Sequence, residues 1–226
     1  MVETLIASRC LITGCARSGT MYMAEVLNAI PEIKCTHEDV FRVDRYPHRW
    51  PPSRKFEVSH WCGHRAYRLL EDIVVFHQVK NPLRHVESLV RFYHPTRGRP
   101  ETLHYKLCPD LKPFEPLTEN DDTLENRIAF AVAYSYLWSK GIEDSNRVEK
   151  RYRLEDLDAE IIGELLSSVG IETKDPQSVN KALESVPKDF HSGKPGCPPV
   201  EFTWGDLATY KYCDGLKDMA ERWGYG

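Results

Sequence analysis

The sequence predicts an α/β fold of three layers, a central and mostly parallel sheet flanked by helices, and three observations lead to it. Short apolar runs rich in β-branched residues end at turn residues. Stretches with apolar residues at helical spacing alternate with them, as crossover connections between parallel strands require. The 226 residues, 41% of them hydrophobic, suffice for one sizeable core and lie near the upper limit for one domain. A single domain over residues 1–226 is therefore expected, with an irregular loop insertion near 94–123.

The first run, Cys10-Leu11-Ile12-Thr13, ends at Gly14, and Met23, Val26, Leu27 and Ile30 then recur at helical spacing. This is strand, loop, helix. A short second strand is expected over Ile33 to Thr36, and Ile73 to Val79 is β-branched enough to be a central buried strand. Pro82 suits the first turn of a helix, and Val86, Leu89, Val90 and Tyr93 line one face of it. His94 to Thr123 holds five prolines and little periodicity, so it reads as a long loop, a kind of segment that is often functional.

Leu124 to Lys140 is apolar nearly all round at its centre, as a buried helix is. Val148 to Leu154 is the fourth strand candidate, despite its charges. Ile161, Ile162, Leu165, Leu166 and Val169 mark the next helix, with Gly170 placed as its C-terminal cap. After a proline- and glycine-rich stretch, Ser192 to Pro199, Thr203 and Asp206 form a capping-box variant for the last helix. Its buried face carries Leu216, Met219, Ala220 and Trp223.

The net charge of -4 gives no global basic field, so nucleic acid is not implied as a partner and any anion site must be local. No stretch approaches the roughly 20 apolar residues of a membrane span, and Met1 to Arg9 has neither a basic n-region nor an apolar h-region. The expectation is a soluble, cytoplasmic chain. Its seven cysteines are an odd number with no C-x-x-C pair, which favours reduced thiols over zinc or a disulfide framework.

The chemistry begins at Gly14-Cys15-Ala16-Arg17-Ser18-Gly19-Thr20, between the first strand and the first helix. Backbone N–H groups there point at an anion on the positive helix end, and the two glycines permit the tight turn. Their spacing is that of a nucleotide phosphate loop, so the fold reads as P-loop-like, but Thr20 stands where a lysine follows the second glycine. A kinase would also need Mg2+ and an acid at a neighbouring strand end, whereas Ile73 to Val79 leads into Lys80. A ligand whose phosphates are handled by side chains alone fits better.

Arg17-Ser18-Gly19-Thr20, followed by Pro31-Glu32-Ile33 and by Glu38, resembles the 5'-phosphosulfate loop of the sulfotransferase superfamily. The run Arg17 to Glu38 is particularly similar to tyrosylprotein, bacterial and carbohydrate sulfotransferases. Those enzymes usually carry R/K-S-G-T-(T/S), and this chain has Met21 in the last place. Lys80-Asn81-Pro82-Leu83-Arg84-His85-Val86-Glu87-Ser88 is similar to their R-x-P-x-x-x-x-x-S, whose arginine and serine hold the 3'-phosphate. Lysine in place of arginine keeps the charge and loses the bidentate fork; Arg84, four residues on, could compensate. Tyr152-Arg153-Leu154-Glu155-Asp156-Leu157 resembles the family's late Y-E-D-L strand end, which reads as a fold marker.

The resemblance implies a sulfotransferase that takes a sulfuryl group from 3'-phosphoadenosine-5'-phosphosulfate and passes it to an acceptor hydroxyl of a carbohydrate, small molecule or tyrosine, without a metal. Arg17 would bridge the leaving phosphate and the sulfuryl oxygens. Ala16, Arg17, Ser18, Gly19, Thr20 and Met21 would form the donor loop, and Lys80 and Ser88 the 3'-phosphate site. Glu38 matches the catalytic base of similar enzymes, and His37 is the alternative. Trp61 is a candidate shelf for adenine, and Lys194 a candidate for a basic loop closing over the nucleotide. Arg97, Arg99, His104 and Lys106 in the long loop would suit an anionic or sugar-like acceptor. His60, His64 and His77 read as satisfied polar residues. The alternatives are a P-loop kinase using ATP and Mg2+, and a nucleotide-binding module without catalysis.

Overall fold

The computed structural model describes residues 9–39, 50, 55–61, 72–92, 108–114, 123–175, 177–187 and 200–226. The chain divides into two compact units, Met1–Val79 with Ile142–His191, and Lys80–Gly141 with Ser192–Gly226.

The first unit holds the sheet. Its strands are β1 (Arg9–Thr13), β2 (Cys35–His37), β3 (Phe56–Ser59), β4 (Ile73–Val79) and β5 (Val148–Arg153), in spatial order β2-β3-β1-β4-β5. Every pairing is parallel, so the expected mostly parallel α/β sheet flanked by helices is parallel throughout its described strands. Side chains alternate across it. Cys10 and Ile12 join one core with Phe56, Val58, Phe76 and Tyr152, and that core continues into three helices: α1 (Thr20–Asn28), α4 (Ala159–Ser168) and α5 (Ser178–Ser185). Leu11, Trp50, Ile73 and Val75 form the apolar set of the opposite face.

All five strands point the same way, so their C-terminal ends lie along one edge. The chain runs from β1 outward to β2 and β3 on one side and to β4 and β5 on the other, which makes the end of β1 a topological switch point. Ligands of open α/β sheets bind at such points.

The second unit is helical: α2 (Pro82–Phe92), a 3-10 turn at Pro109–Phe114, α3 (Leu124–Glu143, its last two residues in the first unit), α6 (Trp204–Leu207) and α7 (Cys213–Arg222). Asn81 caps α2, its side-chain oxygen accepting from the Leu83 and Arg84 N–H groups, with Pro82 at the first helical position. Phe130 stacks on Tyr134, and Tyr134 meets Trp138 at a tilt, at successive i,i+4 positions along α3, and the Ser135 hydroxyl meets His85 Nδ1 of α2 at 2.9 Å.

Four local expectations need correction. The second strand is Cys35–His37, not Ile33 to Thr36, because the Asn28 side chain bonds both the N–H and the C=O of Cys35, while Ile33 N–H closes a turn onto Ile30. β3 adds a strand that the apolar pattern does not mark: Glu57, fully buried, interrupts what would otherwise be an apolar run. α5 has only Val179 and Ala182 as buried apolar anchors, too few to show a period. The capping box of Thr203 and Asp206 exists, but it starts the one-turn α6; α7 begins separately after Tyr212, whose φ is 74°.

Candidate functional site

The Gly14–Gly19 loop leaves β1 at the switch point and enters α1. Gly14 is forced by proximity: a Cβ there would lie 2.5 Å from the backbone oxygen of Gln78 in β4. Gly19 is the N-cap of α1 at φ 87°, a left-handed conformation that favours glycine, and its α-carbon packs against Leu154. Ser18 N–H donates to Cys15 O at 3.1 Å and Met23 N–H to Gly19 O at 3.0 Å, which closes the loop onto the helix. Among the described residues no side chain caps α1, and the N–H groups of its first turn, at Thr20, Met21 and Tyr22, have no intrahelical acceptor and face outward with the positive helix end.

Two side chains of this loop are notable. The Ser18 hydroxyl is buried with the residue 2% exposed, yet it has no hydrogen-bond partner among the described residues. Such a group costs about 1–3 kcal/mol unless something else satisfies it, and a bound oxyanion is the natural acceptor. Arg17 sits at φ 71°, in the left-handed region that costs a non-glycine residue about 1 kcal/mol. Burial pushes its guanidinium below the ordinary arginine range. One loop residue thus combines a strained backbone with a partly desolvated cation.

Beside the loop, residues from the ends of β2 and β3 converge. His37 Nε2 lies 3.2 Å from the Thr20 hydroxyl and 3.6 Å from Glu38 Oε1. Glu38, itself at φ 57°, accepts a hydrogen bond from His60 Nδ1 and another from the Trp61 side chain. The His60 and Trp61 rings are 4.2 Å apart, and Trp61 N–H donates to the Ser59 hydroxyl. Burial pushes the Glu38 carboxyl upward, but the His60 hydrogen bond and charge, the His37 charge and the Trp61 hydrogen bond together hold it below the ordinary value. Burial lowers His37, against the upward pull of Glu38, so its imidazole stays neutral near pH 7.

Arg17, Ser18, Gly19, Thr20, His37, Glu38 and Trp61 thus belong to one unit and one sheet edge, with Ala16 half-buried in the loop and Met21 exposed at the first turn of α1. Lys80 follows the last residue of β4, and Ser88 lies on α2; both belong to the second unit and are half-buried. Arg84 pairs with Glu87 at 3.1 Å and Glu201 at 3.6 Å on the exposed side of α2. His60 is the residue that sequence reasoning passed over. The signal was present only in space, since β3 had to be recognised before His60 could be placed at its end. Lys194, His64, Arg97, Arg99, His104 and Lys106 lie outside the described residues. Among the described residues no three His, Cys, Asp or Glu side chains are arranged to hold a metal ion, and no helix is long and apolar enough to cross a membrane.

No family model matches the chain, and no curated protein does. Among solved structures it is similar to mouse sulfotransferase SULT7A1 complexed with PAP, at 14% identity and a TM-score of 0.46, over 94% of this chain and 89% of that one.

Proposed function

We propose that this chain is a sulfotransferase that takes its sulfuryl group from 3'-phosphoadenosine-5'-phosphosulfate. The observation that carries the reading is the pairing, on one sheet edge, of an anion-ready loop with a hydrogen-bonded carboxylate. The loop offers a buried hydroxyl without a partner among the described residues, open helix N–H groups and a partly desolvated arginine; the carboxylate is Glu38, reached through Thr20 and His37.

In the proposed reaction the acceptor hydroxyl loses its proton to Glu38 as its oxygen bonds to sulfur. The bond from sulfur to the 5'-phosphate oxygen breaks in line, and adenosine 3',5'-bisphosphate departs. Arg17, the Ser18 hydroxyl and the Gly19 and Thr20 N–H groups stabilise the charge that develops on the leaving phosphate and sulfuryl oxygens. A neutral His37 donating from Nε2 to the Thr20 oxygen would leave the Thr20 hydroxyl hydrogen for the same task. Met21 contributes its N–H alone. Lys80 and Ser88 hold the 3'-phosphate, Lys80 as a point charge. Trp61 serves Glu38 through its hydrogen bond and offers adenine its ring face, and Lys194 closes over the nucleotide. The route needs no metal ion. The acceptor is a hydroxyl on a sugar, a small molecule or a tyrosine. Five described cysteines, Cys10, Cys15, Cys35, Cys108 and Cys213, are buried free thiols, in keeping with the cytoplasmic location that belongs to this reading.

Calorimetry with adenosine 3',5'-bisphosphate, compared with ATP plus Mg2+, tests the donor. Binding of the bisphosphate without metal is expected; binding of ATP alone, and only with Mg2+, would turn the assignment to a kinase. Transfer of label from the phosphosulfate donor to a panel of sugars, phenols and peptides separates an enzyme from a silent binder.

A further inference from the structure

A buried side-chain chain links the far edge of the sheet to the anion loop. Gln78 and Tyr152 are paired in register across β4 and β5. Tyr152 donates its hydroxyl to Gln78 Oε1 at 2.7 Å, and Gln78 Nε2 donates to the Ser18 carbonyl at 2.7 Å. Gln78 is fully buried and Tyr152 nearly so.

The polarity of this chain is dictated from its loop end. A carbonyl oxygen only accepts, so Gln78 must present its NH2 to Ser18 and its oxygen to Tyr152, and Tyr152 must then donate. Burial raises the Tyr152 phenol well above its ordinary value, which keeps that donor protonated at any working pH. The geometrical consequence falls on the next peptide. In a trans peptide the C=O and the following N–H point in opposite directions, so tying the Ser18 oxygen inward to Gln78 turns the Gly19 N–H outward. Glycine at φ 87° would otherwise leave this peptide plane free to rotate.

We infer that Tyr152 and Gln78 are a positioning pair that fixes the Ser18–Gly19 peptide so that the Gly19 N–H and the helix end behind it face the bound anion. The inference rests on the anion-loop reading above and assigns work to two residues that touch no substrate. Gln78 contributes twice, because its own backbone oxygen also packs on Gly14 at the start of the loop.

The test is made on the full chain with Tyr152→Phe, which deletes one hydroxyl, and Gln78→Met, which keeps volume and deletes the donor. Amide hydrogen exchange at Ser18 and Met23, whose bonds to Cys15 and Gly19 close the loop, should quicken about fivefold in each variant, with α4 unchanged. Affinity for adenosine 3',5'-bisphosphate should fall about as much, with the donor KM rising more than kcat falls, and the double variant should bind no worse than Gln78→Met. Unchanged loop exchange, or a rise spread equally over α4, overturns the inference. If wild type binds the bisphosphate and Tyr152→Phe binds it equally well, the tether falls and the functional reading stands. If wild type ignores the bisphosphate while both variants loosen the loop, the tether stands and the functional reading falls.

Discussion

His60 Nδ1 donates to the carboxylate of Glu38 across twenty-two residues of sequence. The contact joins the ends of β2 and β3 and makes the candidate base part of a dyad. Whatever proton Glu38 accepts, it accepts beside an imidazole that has already lowered its basicity.

That coupling predicts the pH profile. Glu38 is held below its ordinary value of 4.5 by His60, His37 and Trp61 against the opposing effect of burial. Transfer should therefore keep its rate down to pH values below 4.5 before its acid limb appears. Replacing His60 by alanine removes the strongest downward influence and leaves burial, so the limb should move to higher pH. Glu38→Gln should cost about a hundredfold or more in kcat at every pH. An unmoved limb in His60→Ala would separate the pair from catalysis.

Arg17 separates strain from binding. Glycine tolerates φ 71° where arginine does not, so Arg17→Gly should hold or raise stability by up to about 1 kcal/mol while weakening the bisphosphate at least about tenfold. Arg17→Ala should weaken binding equally without the gain in stability. Chemical denaturation and calorimetry on the two variants read both effects; a stability loss in Arg17→Gly comparable to that in Arg17→Ala would mean that the left-handed backbone carries no strain.

Gly14 tests the approach of the loop to β4. The obstacle to a methyl group there is a backbone oxygen of a central strand, which cannot swing aside as a side-chain end would. Gly14→Ala should destabilise by about 1–3 kcal/mol and displace the loop, visible as lost bisphosphate binding even where the protein still folds. Retained affinity with normal stability would show that the strand yields.

Lys80 tests the second phosphate. An ammonium meets an oxyanion as a point charge, whereas a guanidinium meets it with two parallel donors. Lys80→Arg should tighten adenosine 3',5'-bisphosphate severalfold and leave adenosine 5'-monophosphate unchanged, and Lys80→Ala should shrink the difference between the two nucleotides to what Ser88 alone supplies. Equal responses of both ligands would remove Lys80 from the 3'-phosphate.

The sequence revealed elements wherever one period dominated. Ile73–Val79 has the bounds expected of it, because seven residues in a strand buried on both faces leave no competing pattern, and Gly170 ends α4 as expected, with Gly170 and Ile171 N–H groups returning to Ser167 and Leu166. The loop between β1 and α1 was legible for a related reason: its glycines, serine and arginine all fall between Gly14 and Gly19. The dyad was not. It requires β3, which Glu57 disguises, and it requires the register that sets β2 beside β3 and places His60 near Glu38. Nor was the Gln78–Tyr152 tether legible, since the two residues are neighbours only through strand pairing.

His77 supplies a prediction about folding. It is 1% exposed in β4 beside Arg151, with Glu143 4.0 Å from its Nδ1. Burial first, and the Arg151 charge second, lower its pKa from 6.5 to about 3, so the folded protein keeps it neutral where the unfolded chain protonates it. Stability from this group is complete above about pH 6.5 and is lost as pH falls toward 3, at about 1.4 kcal/mol per unit. His37 is lowered in the same direction, so the two histidines share the upper part of that window, while Glu38 enters only below 4.5. Denaturation midpoints measured between about pH 5 and 6.5 should therefore fall steeply in wild type and less steeply in His77→Gln, with His37→Gln as the control for the smaller share. Equal slopes in wild type and His77→Gln would mean that water or Glu143 supports the charged imidazole in the fold, and the buried end of β4 would then be open to protons.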